Sequence, residues 1–362
     1  MPVWYLIGTL AVGGAERTLV DLVSGLDDRF EPTVWTIANP GPLAEDVPAD
    51  VPVRSLGATS KADLRAPLRF VRALRRERPP ILQSFLFFDN TLARLVGLTS
   101  PETVVVTGVR AVPDDRPRHR ALIDRATMGL SDAVVSNSRA GADWVIEQGA
   151  PADRVSVVHN GRAVDRYDRE VPEGYRDRIG VPSGPVVGTV GRLIRRKGHH
   201  DLLAAWPDVR AAHDDAQLVV VGDGPERDAL AQQAERLGCA DSVHLLGRRD
   251  DVPALLALFD VFAFPSHFEG LPGALLEAMC AGLPIVTTPV DGCSELVTDG
   301  DHGTHVPVGD AAALAAAIDR YLADPDLAAA HGRAARERAV AEFSLDAMVA
   351  GFQSLYDGIL EE

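Results

Sequence analysis

Short runs of apolar, β-favouring residues alternate with stretches of helical periodicity along the whole chain, the arrangement that βαβ units produce. In the first half the runs are VWYLI, TVWTI, ILQSFL, TVVVTGV, AVVSNS and VSVVHN, and the helical stretches between them include Ala15–Leu26, Leu64–Arg78 and Arg139–Gln148. Between residues 165 and 184 the alternation dissolves into charged sequence rich in Gly and Pro, which reads as a linker. A second series follows with PVVGTVG, QLVVVGD, VHLLG, VFAFPS and LPIVTT. From Asp310 onward the pattern is helical, broken near ADPD and EFS. The prediction is an α/β chain of two doubly wound domains with parallel sheets and a cleft between them. Ligands of such sheets sit at the carboxyl ends of the strands, so the loops there are the ones to search.

Length agrees with two domains, because 362 residues exceed what one ordinary core organises. A net charge of −16 argues against a nucleic-acid partner, which would need a basic face for phosphates. Lysine occurs only at Lys61 and Lys197, the other basic residues being arginine. Abundant Asp and Ala with so little Lys fits a high-salt cytoplasm, though a GC-rich genome has the same effect. Cys239, Cys280 and Cys293 lack the spacing of a metal site or a disulfide framework and read as buried thiols. Val3 to Gly8 follows no basic segment and is soon broken by glycine, so it reads as a core strand and not a signal peptide. No run reaches the length of a membrane span, and the expectation is a cytoplasmic protein.

Three loops carry candidate chemistry. VGRLIRRKGHHDLL, from 190 to 203, places Arg192, Arg195, Arg196 and Lys197 after a strand ending at Gly191, in an otherwise acidic chain. Arg offers a planar fork and Lys a point charge, so the cluster reads as a diphosphate clamp; the alternative is a solvated basic loop. Gly13 and Gly14, between the first strand and first helix, let a backbone approach a ligand, although no G-x-G-x-x-G fits them or VGDGPE at 221–226. In FEGLPGALLEAMC, Glu269 precedes a helix start near Pro272 and Glu277 lies just over one turn inside it. Free N–H groups near Leu271 and Gly273 would face a ligand with the positive end of the helix dipole. Glu269 would then accept from sugar hydroxyls and Glu277 from a ribose. The apolar neighbours Leu275, Leu276, Ala278 and Met279 oppose the alternative of a merely solvated glutamate.

Together these residues resemble the retaining, nucleotide-sugar-dependent glycosyltransferases of the GT-B fold, the glycogen-synthase-like and mannosyltransferase-like group with an E-x7-E motif. The match covers nearly the whole chain. It rests on Glu269 and Glu277, on Gly191, Arg192, Leu193, Lys197 and Gly198 as G-R-L-x-x-x-K-G, on Gly13-Gly14-Ala15-Glu16, and on the stretch from Val135 to Gly161. The resemblance implies two Rossmann-like doubly wound domains facing a central cleft, with the C-terminal helix returning to the first domain. The implied division is an acceptor-binding domain at 1–165, a linker at 166–184, a nucleotide-sugar-binding domain at 185–343 and the returning helix at 344–362. It further implies that Arg192 and Lys197 hold the donor diphosphate and Glu277 the ribose. Glu269 would contact the transferred sugar, and Gly14 with the Gly270-Leu271-Pro272 segment would supply backbone donors. Main-chain groups near Arg248 would meet the base. Nucleotide sugar and a glycan or lipid-linked acceptor are the implied partners, with no cofactor and no metal.

Two departures stand out. Arg110 occupies the position where many members carry a His, which makes it the acceptor-side or acid–base candidate, and NGRAVD at 160–165 is two residues longer than the usual N-G-V-D. The rival readings are a GT-B epimerase or phosphorylase, a non-catalytic nucleotide-sugar-binding subunit, and a Rossmann oxidoreductase that the missing glycine fingerprint disfavours. Finally, residues 64–80 predict a helix with Leu64, Leu68, Val71 and Leu74 on one face and Arg65, Arg69, Arg72 and Arg76 on another. That pattern suits either a solvated core helix or a peripheral contact with an anionic membrane surface.

Overall fold

The computed structural model describes residues 1–60, 63, 65–110 and 117–361, which divide into two units. Unit 1 comprises Met1–Gly161 and Leu345–Glu362, and unit 2 comprises Arg162–Ser344. Strands β1 (Pro2–Ile7), β2 (Glu31–Thr36), β3 (Val53–Ser55), β4 (Ile81–Ser84), β5 (Val104–Val109), β6 (Ala133–Ser136) and β7 (Val155–Val157) form the sheet of unit 1. Its order is β3-β2-β1-β4-β5-β6-β7, all parallel. Helices α1 (Gly14–Gly25), α2 (Arg65–Glu77), α3 (Phe87–Gly97), α4 (Arg118–Thr127) and α5 (Arg139–Glu147) connect them. The strands are apolar runs because helices cover both faces. Tyr5, Ile7 and Phe85 face one buried layer, and Trp4, Leu6 and Leu82 the opposite one with Phe70 and Leu74 of α2.

In unit 2, α6 (Tyr175–Ile179) precedes β8 (Val186–Val190), then α7 (His199–Ala212), β9 (Gln217–Val221), α8 (Arg227–Arg236) and β10 (Val243–Gly247). The series continues through α9 (Val252–Leu258), β11 (Val261–Phe264), α10 (Gly273–Cys280), β12 (Ile285–Thr287), α11 (Asp291–Leu296) and β13 (Thr304–His305). Helices α12 (Ala311–Ala323), α13 (Pro325–Glu342) and α14 (Leu345–Glu361) close the chain. The second sheet is parallel in the order β10-β9-β8-β11-β12-β13. Each sheet reverses its winding beside its first strand, at β1/β4 and at β8/β11, which makes the carboxyl ends there the natural ligand positions.

The last helix belongs to the first unit. Met348, Val349, Phe352 and Tyr356 of α14 are buried with Tyr5, Leu19 and Val23. Tyr356 donates to Gln83 Oε1, and Gln353 and Asp27 bond to each other twice at 3.1 Å.

Several expected boundaries differ from the structure. The predicted linker, 166–184, belongs to unit 2, because Tyr167, Tyr175 and Val181, with Val164 just before them, bury themselves in that unit's core between charged neighbours. The chain therefore passes between units at Gly161/Arg162 and Ser344/Leu345. Strands β3 and β13 were not expected, being short edge strands of two or three residues without an apolar run. On α2 the buried residues are Ala66, Phe70, Ala73 and Leu74, so of the predicted row Leu74 is buried and Val71 half-buried, while Leu68 is 57% exposed. Phe70 packs against Trp4 and Trp35 and sets that rotation; Leu64 lies outside the described residues.

Candidate active site

The loop after β8 and the loop after β11 lie against each other in unit 2. Lys197 ends a short 3-10 turn at Arg195–Lys197, and its Nζ is 2.5 Å from Glu269 Oε1 and 5.0 Å from the centre of the Phe264 ring. The Ser266 hydroxyl donates to the same Glu269 oxygen at 2.6 Å, with the Arg196 carbonyl 3.1 Å away as another acceptor in reach, and His267 N–H donates to that carbonyl. Glu269 is buried, so its carboxylate is held by a cation and a hydroxyl instead of water. Two glycines make this approach possible. Gly198 has φ +70°, and a Cβ there would overlap the Pro265 carbonyl; a Cβ on Gly292 would overlap the Gly270 carbonyl.

Arg192 extends from the same loop, exposed and without an ion pair among the described residues. Gly191 ends β8 with its N–H on the Val221 carbonyl, directly before the basic cluster. His199 was not singled out by sequence: it opens α7, is buried beside Gly191, and has no partner for Nδ1. Burial, then the nearby Lys197 and His200, pull its pKa down to about 4, so it is neutral at physiological pH.

Pro272 caps α10, which starts at Gly273, one residue later than a proline in the first turn would place it. The amides at Leu271 and Gly273 sit at the start of this eight-residue helix, whose dipole adds positive potential. Glu277 lies one turn in, and burial raises its pKa while Arg162, Arg166 and Tyr167 oppose that rise. Arg162 Nε is 3.6 Å from Glu277 Oε1. Arg248 follows β10, exposed, beside an Arg249–Asp251 pair that also receives the Tyr175 hydroxyl. Unit 2 thus gathers Gly191, Arg192, Lys197, Arg248, Glu269, Gly270, Leu271, Pro272 and Glu277 on the carboxyl side of β8, β10 and β11. An anion with a hydroxyl-bearing flank matches that set: two cations and a helix start for charge, two carboxylates for hydroxyls.

The remaining candidates belong to unit 1. Gly13 and Gly14 lead into α1, and a Cβ at Gly14 would meet nothing within 4 Å, so packing does not demand glycine there. Arg110 ends β5 with Nη1 donating to Asn160 Oδ1 at 2.8 Å and its guanidinium over Phe85 and Phe352. Burial lowers its pKa to about 10, which leaves it a cation at neutral pH and unsuited to the base role of a histidine. Its Nε and Nη2 find no acceptor among the described residues. Asp89, in the first turn of α3, was also missed by sequence. Burial raises its pKa to about 7 despite a backbone bond from Gly8, and its Oδ2 is unpaired.

Comparison with known proteins follows this geometry. The family profile Glycosyl transferases group 1 matches residues 175–338, and Glycosyltransferase Family 4 matches residues 12–166. A lipopolysaccharide core biosynthesis glycosyltransferase, LpsE of Rhizobium meliloti, is 30% identical, with 95% of each chain covered. A 2-deoxystreptamine N-acetyl-D-glucosaminyltransferase of Streptomyces fradiae is 31% identical over 92% of this chain and 91% of its own. Among solved structures, Anabaena HepE in complex with UDP superposes with TM-score 0.85 at 23% identity, covering 99% of this chain and 100% of that one. That likeness fixes the fold as two Rossmann-like domains of the GT-B type.

Proposed function

We propose, for a chain that belongs to the group 1 glycosyl transferases, transfer of a sugar from a nucleotide-diphosphate donor to a glycan or lipid-linked acceptor with retained anomeric configuration. The observation that carries this reading is the Lys197–Glu269 pair, set between Arg192 and the start of α10 with Glu277 one turn behind. Donor binding draws the Lys197 ammonium and the Arg192 fork onto the diphosphate and releases Glu269 to the hydroxyls of the sugar. The bond between the anomeric carbon and the phosphate oxygen breaks as the acceptor oxygen bonds to the same face of that carbon. The departing phosphate takes the acceptor's proton, so no protein base is required at Arg110. The growing charge on the diphosphate meets cations and amides that are already oriented, which is where the rate acceleration arises. Surface polysaccharide or glycolipid assembly is the setting that the names of LpsE and its like suggest.

A thermal-shift panel of nucleotide sugars tests the donor assignment. One member at 100 times its Kd should stabilise the protein by about 2.7 kcal/mol, with free sugars giving no shift. A panel without any shift would remove the donor reading.

A lipid-linked acceptor also gives a role to α2, whose Arg65, Arg69, Arg72 and Arg76 are exposed together with Leu68. Helix α3 beside it exposes Leu95 and Leu98, and α4 exposes Leu122. Exposed leucines among arginines suit the headgroup region of an anionic bilayer. Sedimentation with anionic vesicles should retain the parent more than an Arg69/Arg72/Arg76→Gln variant, and neutral vesicles should retain neither. Equal recovery of both proteins on anionic vesicles would refute the contact.

A further inference from the structure

Arg162, one of the two residues that lengthen NGRAVD, has a definite place in unit 2. Its backbone N–H donates to the Phe343 carbonyl at 2.9 Å, which fixes where the side chain starts. The side chain then lies along the first turn of α10. Its Nη2 stands 2.6 Å from the position that a Cβ on Gly273 would take, so a side chain there would push the guanidinium off this path. Its Nε ends 3.6 Å from Glu277 Oε1, in surroundings where the two side chains are only 21% and 23% exposed.

We infer that Arg162 is a positioning residue for donor recognition: it holds the Glu277 carboxylate against α10, charged and oriented, so that both oxygens meet the two ribose hydroxyls. The inference rests on the reading of Glu277 as the ribose ligand. Burial works against that charge, and among the opposing groups Arg162 comes first, ahead of Arg166 and the hydroxyl of Tyr167. The other elements packed on α10 contribute little. On α13, Arg336 is turned to the Cys280 carbonyl and to Asp168 at 3.3 Å. On α11, Asp291 is exposed, and the Glu295 carbonyl accepts from Arg338. The neighbouring Cys280 thiol is itself pushed up to about 12 by burial and stays neutral. A carboxylate deprived of Arg162 therefore takes up a proton at higher pH. A protonated Glu277 accepts fewer hydrogen bonds, so donor affinity falls as pH falls.

The test is the pH dependence of donor KM and of kcat between pH 6 and 8 for the parent, Arg162→Gln, Arg162→Lys and Glu277→Gln. Arg162→Gln should raise donor KM about tenfold at pH 6 and far less at pH 8, with kcat changed under threefold. Arg162→Lys should restore the parent profile, and Glu277→Gln should raise KM at every pH. If Glu277→Gln raises KM while the Arg162→Gln profile superimposes on the parent's, the positioning role is wrong and the ribose reading stands. If Glu277→Gln leaves KM unchanged, the ribose reading fails and the inference with it. A rise in KM that is equal at all pH values in Arg162→Gln, and unrelieved by Arg162→Lys, would mark a purely structural residue and overturn the proposal.

Discussion

Replacing Lys197 with alanine should lower sugar transfer by roughly 10²-fold or more, the scale on which one preorganised donor to a developing charge is lost. The ammonium sits 2.5 Å from Glu269 and is carried on a turn that Gly198 locks against Pro265. The turn is therefore fixed before any ligand arrives, and donor binding has only to redirect the side chain from Glu269 to the diphosphate. Truncation has a second effect, because among the described residues the buried Glu269 then keeps only Ser266 as a side-chain partner. Arg192→Ala should cause a comparable loss with no such effect, since Arg192 is exposed and pairs with nothing in the described chain. Steady-state transfer rates beside melting curves make the comparison. The clamp assignment is lost if both variants stay within a few-fold of the parent while remaining folded.

The second large effect concerns stability. Ending the chain after Phe343 removes α14 and, with it, Met348, Val349, Phe352 and Tyr356 from the core of unit 1. Burial of such side chains contributes roughly 1.5–3 kcal/mol each. The sum is comparable with the whole stability of an ordinary domain, about 5–15 kcal/mol. The cut also strands Gln83 and Tyr5, which lose the Tyr356 hydroxyl, and breaks the paired bonds between Gln353 and Asp27. Hydrogen exchange should show amides of β1 and β4 losing protection in the truncated chain. Full protection there would show that α14 is dispensable to unit 1.

Much of this fold was legible because parallel strands covered on both faces leave apolar runs that no helix pattern imitates. VFAFPS and QLVVVGD are such runs, and β11 and β9 lie within them. What escaped had a weak physical signal. Strand β3 is the half-exposed VRS at a sheet edge, and β13 is two residues long. On α2 the helix was evident but its rotation was not, since leucines and small residues occupy both sides and the aromatic cluster of Trp4, Trp35 and Phe70 decides between them. Residues 166–184 read as a linker because their charges outnumber Tyr167, Tyr175 and Val181, the residues of the segment buried in the core.

At the candidate site the types and spacing of residues named two loops that the structure brings into contact, but pairing is a three-dimensional property. Nothing in the spacing joins Lys197 to Glu269, 72 residues apart, or Ser266 to both loops. Arg162 left a trace, as one of two extra residues in a familiar stretch, whose meaning appears only when its side chain is seen along α10. Asp89 and His199 left none, because a buried polar residue looks like any other until its neighbours are known.

The most direct measurement is product analysis by proton NMR during turnover, with a donor selected by thermal shift and an acceptor bearing a free hydroxyl. The account predicts one nucleoside diphosphate released per new glycosidic bond and an anomeric signal of the donor's own configuration from the earliest time points. A product of inverted configuration, or donor binding by Lys197 and Arg192 with no glycoside formed on any acceptor, would contradict it.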